Sequence, residues 1–250
     1  IGQAYGGLAR FEDAERLWRE ALATYEAAPG NELEAADVMF RMARQFSWRQ
    51  RWDEAQGLAE TAYRLRRDEL GEDHPVTADS VAQLAYVATD RGDFERAQAL
   101  YLQAYEIRRR QDPPDMLAIA QSAHELGWVY DESSYLQQAL DWYARGLELR
   151  RQQLPRAHPL VLESTSMVGM MYQDMGRYEE ARPYLEEALE IAGLLVAGGV
   201  PPGELGRMRH YLGQNEREMG NLQAAERLAR QGLAALLEAY GHTDMGVNSA

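Results

Sequence analysis

The sequence predicts an all-α fold, a right-handed superhelical solenoid of antiparallel helix pairs, and three sets of spaced residues carry that expectation. A small residue recurs as Ala14, Ala55, Ala97, Ala139, Ala181 and Ala225, at gaps of 41, 42, 42, 42 and 44 residues. Three residues before each stands a bulky apolar side chain (Phe11, Trp52, Phe94, Leu136, Tyr178, Leu222), and seven after each a second small one (Ala21, Ala62, Ala104, Gly146, Ala188, Gly232). Twelve residues before each lies a third small position: Gly2, Ala43, Ala85, Gly127, Gly169 and Gly213. A fixed period of this length marks a solenoid, in which each unit buries its apolar face only against its neighbours. Such chains usually present a long surface to a partner.

The period divides residues 1–250 into one continuous array: a partial unit at 1–33, full units at 34–75, 76–115, 116–159, 160–201 and 202–241, and the start of a further unit at 242–250. Within a unit the first helix comes before the turn and the second after it. In the third unit the first helix is expected from about Val76 to Arg91, with Val81, Leu84, Ala85 and Val87 inward and Gly92 as its stop. The second runs from Phe94 to about Arg110, where Phe94, Ala97, Leu100, Tyr101, Ala104, Tyr105 and Ile107 recur at helical spacing. Gly176 and Gly220 take the place of Gly92, where glycine adopts the left-handed backbone that ends a helix. Asp73-His74-Pro75, Pro113-Pro114, His158-Pro159 and Pro201-Pro202 mark the starts of first helices, since proline fits only a first turn. The Gly198–Gly203 stretch accounts for the long gap and is the expected flexible loop. About 12 or 13 helices result, given two per unit and the partial ends. Ile1 is not a methionine and Gly2 already holds a mid-helix position, so both ends look cut from a longer chain.

Composition narrows the functions open to such an array. The chain is 46% apolar and 26% charged, ordinary for a folded soluble protein, and no run approaches the roughly 18 apolar residues of a membrane span. A net charge of −14 argues against nucleic acid, whose recognition rests on a basic footprint. There is no cysteine, which excludes disulfides and thiol chemistry. There is no lysine either, so a P-loop lysine, a kinase strand lysine and Schiff-base chemistry are excluded within these residues. The abundance of Ala, Arg, Gly and Leu suggests the coding bias of a GC-rich bacterial genome, and a cytoplasmic location is expected. No His-Glu-x-x-His, Gly-x-Ser-x-Gly or glycine-rich phosphate loop occurs. His74, His158 and His242 fall near junctions two repeats apart, too far for one ion, so turn capping or solvent exposure is expected of them. No enzyme activity, metal or cofactor is expected.

Leu126-Gly127 followed by Tyr130, Ala139 and Gly146 resembles the tetratricopeptide repeat, and Val168-Gly169, Tyr172, Gly176, Tyr178, Ala181 and Ala188 match it more fully. The 42-residue period and the Leu70-Gly71-Glu72-Asp73-His74-Pro75 junction are similar to the kinesin-light-chain-like variety found in bacterial signalling proteins. HEAT and armadillo repeats share the period but not this array of small residues. The resemblance implies that the first helices line a concave surface that receives extended peptides or partner helices. One feature departs from it. Units of that variety often carry an Asn-Asn pair that clamps a peptide backbone, and here the pairs are Phe40-Arg41, Ala82-Gln83, His124-Glu125, Ser166-Met167 and His210-Tyr211. Recognition through side chains, or of a helical partner, fits better.

On a first helix, 100° steps separate a packed face from an open one. In the fourth unit Ala123, Leu126, Gly127 and Tyr130 take the packed face, leaving Gln121, His124, Trp128, Asp131 and Glu132 on the other. The centre of the open face reads Arg44, Tyr86, Trp128, Met170 and Gln214 from unit to unit. Trp128 and Tyr86 offer large, stiff contact area of the kind that dominates interfaces; alternatively the tryptophan packs against the next first helix. Phe11, Trp52, Phe94 and Tyr178 are expected in the core. The middle units add Asp79, Asp90, Asp131, Glu132, Glu163 and Asp174, and the outer ones add Arg41, Arg44, Arg207, His210 and Arg217. An acidic centre with aromatic members suits a basic partner with apolar anchors. The expected function is a non-enzymatic scaffold binding a protein or peptide in the concave groove. The alternative is a regulatory or sensor module acting inside a larger signalling protein with a kinase, nucleotide-dependent switch or protease domain.

Overall fold

The computed structural model describes residues 11–28 and 30–240. Expectations placed on Ile1–Gly7, on His242 and on the further unit at 242–250 lie outside them. Among the described residues the fold is wholly helical: α1 (Phe11–Glu26), α2 (Glu32–Trp48), α3 (Trp52–Leu70), α4 (Pro75–Asp90), α5 (Phe94–Arg109), α6 (Met116–Glu132), α7 (Leu136–Gln153), α8 (Pro159–Asp174), α9 (Tyr178–Ala197), α10 (Gly203–Glu218) and α11 (Leu222–Tyr240). They group into two units, one ending at Glu125 and the other starting at Leu126, inside α6.

The first and second helices of each repeat are joined by one turn chemistry, used five times. Its middle residue has a positive φ: Gln50 at 59°, Gly92 at 78°, Ser134 at 64°, Gly176 at 71° and Gly220 at 81°. The next backbone N–H reaches five residues back to a helix carbonyl, as in Arg51 to Phe46 (3.0 Å), Asp93 to Ala88 (2.9 Å) and Tyr135 to Tyr130 (2.8 Å). This closure satisfies carbonyls the ending helix leaves open and reverses the chain tightly. Between repeats the connections are longer, and a side chain caps α4, α6 and α8, whereas α2 and α10 start without a side-chain cap. His74 Nδ1 accepts from the Val76 N–H and His158 Nδ1 from the Leu160 N–H, both at 3.2 Å, with Pro75 and Pro159 in the first turns. Both histidines therefore cap, as their positions suggested. Asp115 does the same for α6, accepting from Leu117 and Ala118 at 3.0 Å each. The long junction shortens to a turn: α9 runs to Ala197, and α10 already begins at Gly203.

Small residues let the helices approach closely. Ala14, Ala43, Ala55, Ala62, Ala85, Ala97, Ala104, Ala139, Ala181 and Ala188 are all fully buried. At Gly127 a Cβ would lie 2.6 Å from the Tyr143 ring, and at Gly169 one would lie 2.8 Å from Leu185. In the first unit the core joins Phe11, Trp18, Met42, Phe46, Leu84 and Val87. In the second it joins Leu140, Tyr143, Leu147, Val161, Leu162, Val168, Met171 and Ile191. Pairwise packing runs α2 on α3, α3 on α4 and α4 on α5 in the first unit, and α7 on α8, α8 on α9, α9 on α10 and α10 on α11 in the second. Of the four anchors expected in the core, Phe11 is buried, Phe94 and Tyr178 are only partly buried, and Trp52 is 38% exposed, although all four stand at the first position of a second helix. Leu222, in the same place on α11, is 65% exposed.

Candidate partner-binding face

On each first helix, residues four, seven and eleven positions apart form one stripe beside the packed face. α2 carries Asp37, Arg41, Arg44 and Trp48; α4 carries Asp79, Gln83, Tyr86 and Asp90; α6 carries Gln121, Glu125, Trp128 and Glu132. α8 continues with Glu163, Met167, Met170 and Asp174, and α10 with Arg207, Tyr211, Gln214 and Glu218. The third member of each stripe is the residue singled out from sequence.

In the first unit these stripes meet as an ordered cluster. Trp48 is 58% exposed, and its indole N–H donates to the Tyr86 hydroxyl at 2.6 Å. The Arg44 guanidinium lies 5.4 Å from the centre of the Trp48 ring. Ser47 donates to Asp90 at 2.7 Å. Partial burial, with Asp90 nearby, raises the Tyr86 phenol above its usual range, so it stays protonated and able to donate. Arg44, Tyr86 and Asp90 of this cluster were singled out from sequence, and Trp48, one turn past Arg44 on the same stripe, was not.

In the second unit Trp128 is partly buried against the core around Tyr143 and Leu147, and its N–H donates to Glu132 at 3.2 Å. The tryptophan thus packs and also borders the open side. Met170 is partly buried on α8, and Asp131 and Asp174 flank this region. Burial raises the Asp131 carboxyl above its ordinary range, and the charges of Asp174 and Glu132 push the same way; burial alone raises Asp174. His124 is partly buried on α6, one turn before Trp128.

The acidic character expected of this face is partly neutralised from beneath. Three second helices send an arginine inward at the same register: Arg66, Arg108 and Arg150, respectively 5%, 7% and 1% exposed. Each donates to the serine fourteen residues on, Arg66 to Ser80 (2.8 Å), Arg108 to Ser122 (2.5 Å) and Arg150 to Ser164 (2.7 Å). Each also holds a carboxylate of the open stripe: Arg66 with Asp37, Arg108 with Asp79 (2.6 Å) and Arg150 with Glu163 (2.8 Å). Asp79 and Glu163 are therefore committed to internal pairs. Glu125 lies 3.5 Å from Arg108, and burial nevertheless raises its carboxyl above the ordinary range. The signal for this ladder was present in the sequence as Arg and Ser at the 42-residue period, offset by 14.

His210, Gln214 and Arg217, on successive turns of α10, are exposed and line a cleft against α11 with Leu222, Ala225 and Ala229. Among the described residues no group of three His, Asp or Glu is placed to hold a metal ion, and no helix is long and apolar enough to cross a membrane.

Tetratricopeptide-repeat models match residues 34–110, 80–152, 119–193 and 160–238, and a further one matches residues 1–32. Curated proteins give no significant match. Among solved structures, the chain is similar to BtubC (BKLC) from P. vanneervenii at TM-score 0.79 and 19% identity, covering 96% of this chain and 94% of that one. It is similar to a kinesin light chain of Podosopora anserina with nearly identical TPR-like repeats at TM-score 0.70 and 22% identity, covering 82% and 96%. A signal-transduction ATPase with a tetratricopeptide-repeat sensor, from Pyrococcus horikoshii, aligns at TM-score 0.73 and 15% identity over 92% of this chain and 34% of that one. With the repeat matched along its length and its helix pairs packed as the period requires, the chain belongs to the tetratricopeptide-repeat family.

Proposed function

We propose that this chain is a non-enzymatic scaffold that binds a partner protein on the open face of its first helices. Proteins of the family are generally interaction scaffolds, which gives the reading its starting point. The observation that carries it is the Trp48–Tyr86 pair. A tryptophan 58% exposed is held in one orientation by a hydrogen bond, beside Arg44 and Asp90. Holding an aromatic anchor still before binding removes an ordering cost and leaves its apolar area for the partner. In the second unit Met170 and the edge of Trp128, with Asp131 and Asp174 around them, have the same character. A partner with apolar anchors and basic residues suits both.

Capture of partners from cell extract, compared between the native chain and Tyr86→Ala, Trp48→Ala and Trp128→Ala versions, tests this. The substitutions are expected to weaken capture by about tenfold or more while leaving the helical spectrum intact. Asp131→Arg is expected to slow association and flatten its salt dependence. Unchanged binding by all four variants would move recognition off this face. The alternative, a sensor that acts within a longer signalling chain, draws on the likeness to the ATPase with a tetratricopeptide-repeat sensor. It uses the same face and differs only in whether the occupant is tethered.

A further inference from the structure

The three inward arginines of the second helices follow one design, and the middle one meets an acid at a place where the other two do not. Seventeen residues after Arg66, Arg108 and Arg150, on the open stripe of the next first helix, stand Gln83, Glu125 and Met167. Gln83 and Met167 are neutral, so at this place only Arg108 gains a carboxyl. Its Nη2 donates to Asp79 at 2.6 Å, while its Nη1 donates to Ser122 at 2.5 Å and reaches Glu125 at 3.5 Å. One guanidinium thus serves two carboxyls, one on α4 and one on α6.

The two carboxyls differ in their access to water. The Asp79 side chain is 49% exposed and that of Glu125 only 21%. Gln121, one turn before Glu125, donates to it at 3.2 Å. Among the described residues, the charged groups that act on Glu125 are Arg108 on α5 and Asp79 on α4, and the buried Tyr101 hydroxyl of α5 feels its charge in turn. Burial raises the Glu125 carboxyl above the ordinary glutamate range; Arg108 and Gln121 draw it back, and Asp79 adds to the rise. A carboxyl held neutral needs no cation, which leaves Arg108 on Asp79. Once ionised, Glu125 is a charge largely cut off from water, and such a charge loses far more without a partner than a half-exposed one does.

We propose that Glu125 is a proton-operated switch on the open face of the first unit: protonated, it leaves Arg108 bound to Asp79; ionised, it draws Arg108 to itself and returns the Asp79 carboxylate to the open face. A basic residue docking on α4 then meets a free carboxylate above the midpoint of Glu125 and a neutralised one below it. That use rests on the open face being the binding surface, whereas the exchange of Arg108 is a property of the chain alone. The rungs at Arg66 and Arg150 lack it, since Gln83 and Met167 have no proton to lose.

The test is carboxyl and guanidinium NMR on the whole 250-residue chain, titrated between about pH 3 and 8, with Glu125→Gln and Glu125→Met as references. Both substitutions place the residue of a neighbouring repeat at this position, and both are expected to keep the helical spectrum. Glu125 is expected to titrate above the ordinary glutamate range. At that midpoint the Asp79 carboxyl should show an inflection and the Arg108 Nε–H should shift, and both changes should be lost in the two variants. An Asp79 curve with no inflection at the Glu125 midpoint would overturn the proposal, as would an inflection there that survives Glu125→Gln. So would Glu125 titrating within the ordinary range. None of these readouts needs a partner, so their failure leaves the open-face reading standing, and failure of the capture experiment leaves the Arg108 exchange standing.

Discussion

Arg108 ties three helices with one side chain: it springs from α5, reaches Ser122 on α6, and holds Asp79 on α4. Guanidinium suits this because its planar fork supplies several donors at fixed angles and stays charged when buried. Arg108→Met should keep most of the volume yet leave Ser122 and Asp79 without their donor. A loss of about 2 kcal/mol in urea unfolding is expected, in the range for hydrogen bonds to a charged group, with Asp79 half-exposed and able to recover solvation. Asp131 acts in the opposite sense. Its carboxyl is held above the ordinary range by burial and by Asp174 and Glu132, so the folded chain binds that proton more tightly than the unfolded chain does. The stability this contributes is complete below the ordinary aspartate range and is lost as pH rises through the higher folded value. Asp131→Asn, which cannot ionise, should therefore be more stable than the native chain at neutral pH, by under about 1 kcal/mol at this partly solvated site. The advantage should vanish when the unfolding series is repeated near pH 3, where aspartate is protonated in both states. An advantage equal at both pH values would show that the charge is not its source.

At the scale of the element, the five identical turns separate what sequence reveals from what it hides. Gly92, Gly176 and Gly220 advertise a left-handed residue, and the structure places all three at positive φ. Gln50 and Ser134 occupy the same turn at φ 59° and 64° with no such advertisement, because the repeat imposes the geometry whatever residue stands there. A non-glycine residue in that region is strained by about 1 kcal/mol. Ser134→Gly should thus stabilise the chain by roughly 0.5–1 kcal/mol, offset in part by the freedom glycine gains when unfolded. A destabilised variant in thermal unfolding would contradict this. The helix boundaries, the small-residue contacts and the capping histidines were legible for a similar reason: each depends on one residue type at one spacing. The arginine ladder was not read, because arginine on a lysine-free, highly charged chain looks like ordinary solvated surface. Its burial depends on what two neighbouring repeats bring together. Trp52 shows the converse error: apolar character and its repeat position placed it in the core, where Phe11 at the equivalent position is buried, yet the structure leaves it 38% exposed.

For the whole molecule, solenoid stability is close to a sum over units and their nearest-neighbour contacts, so a surface spread over several first helices is not spent on a single core. The proposed reading assigns recognition to the open stripes, with Arg44, Trp48 and Tyr86 in the first unit and Trp128, Asp131, Met170 and Asp174 in the second. Sequence reading overcounted the free acid of these stripes, since Asp79 and Glu163 are paired with buried arginines. The most direct test of the face itself is photo-crosslinking. A benzophenone amino acid is placed at Arg44 or Asp174 on the open stripes, or at Ala99 or Arg145 on the exposed sides of α5 and α7, and partner capture is compared after irradiation in cells. Crosslinks to one common partner from Arg44 and Asp174, and none from Ala99 or Arg145, are the expected result. Crosslinks from Ala99 and Arg145 with none from the open stripes would contradict binding through the first helices.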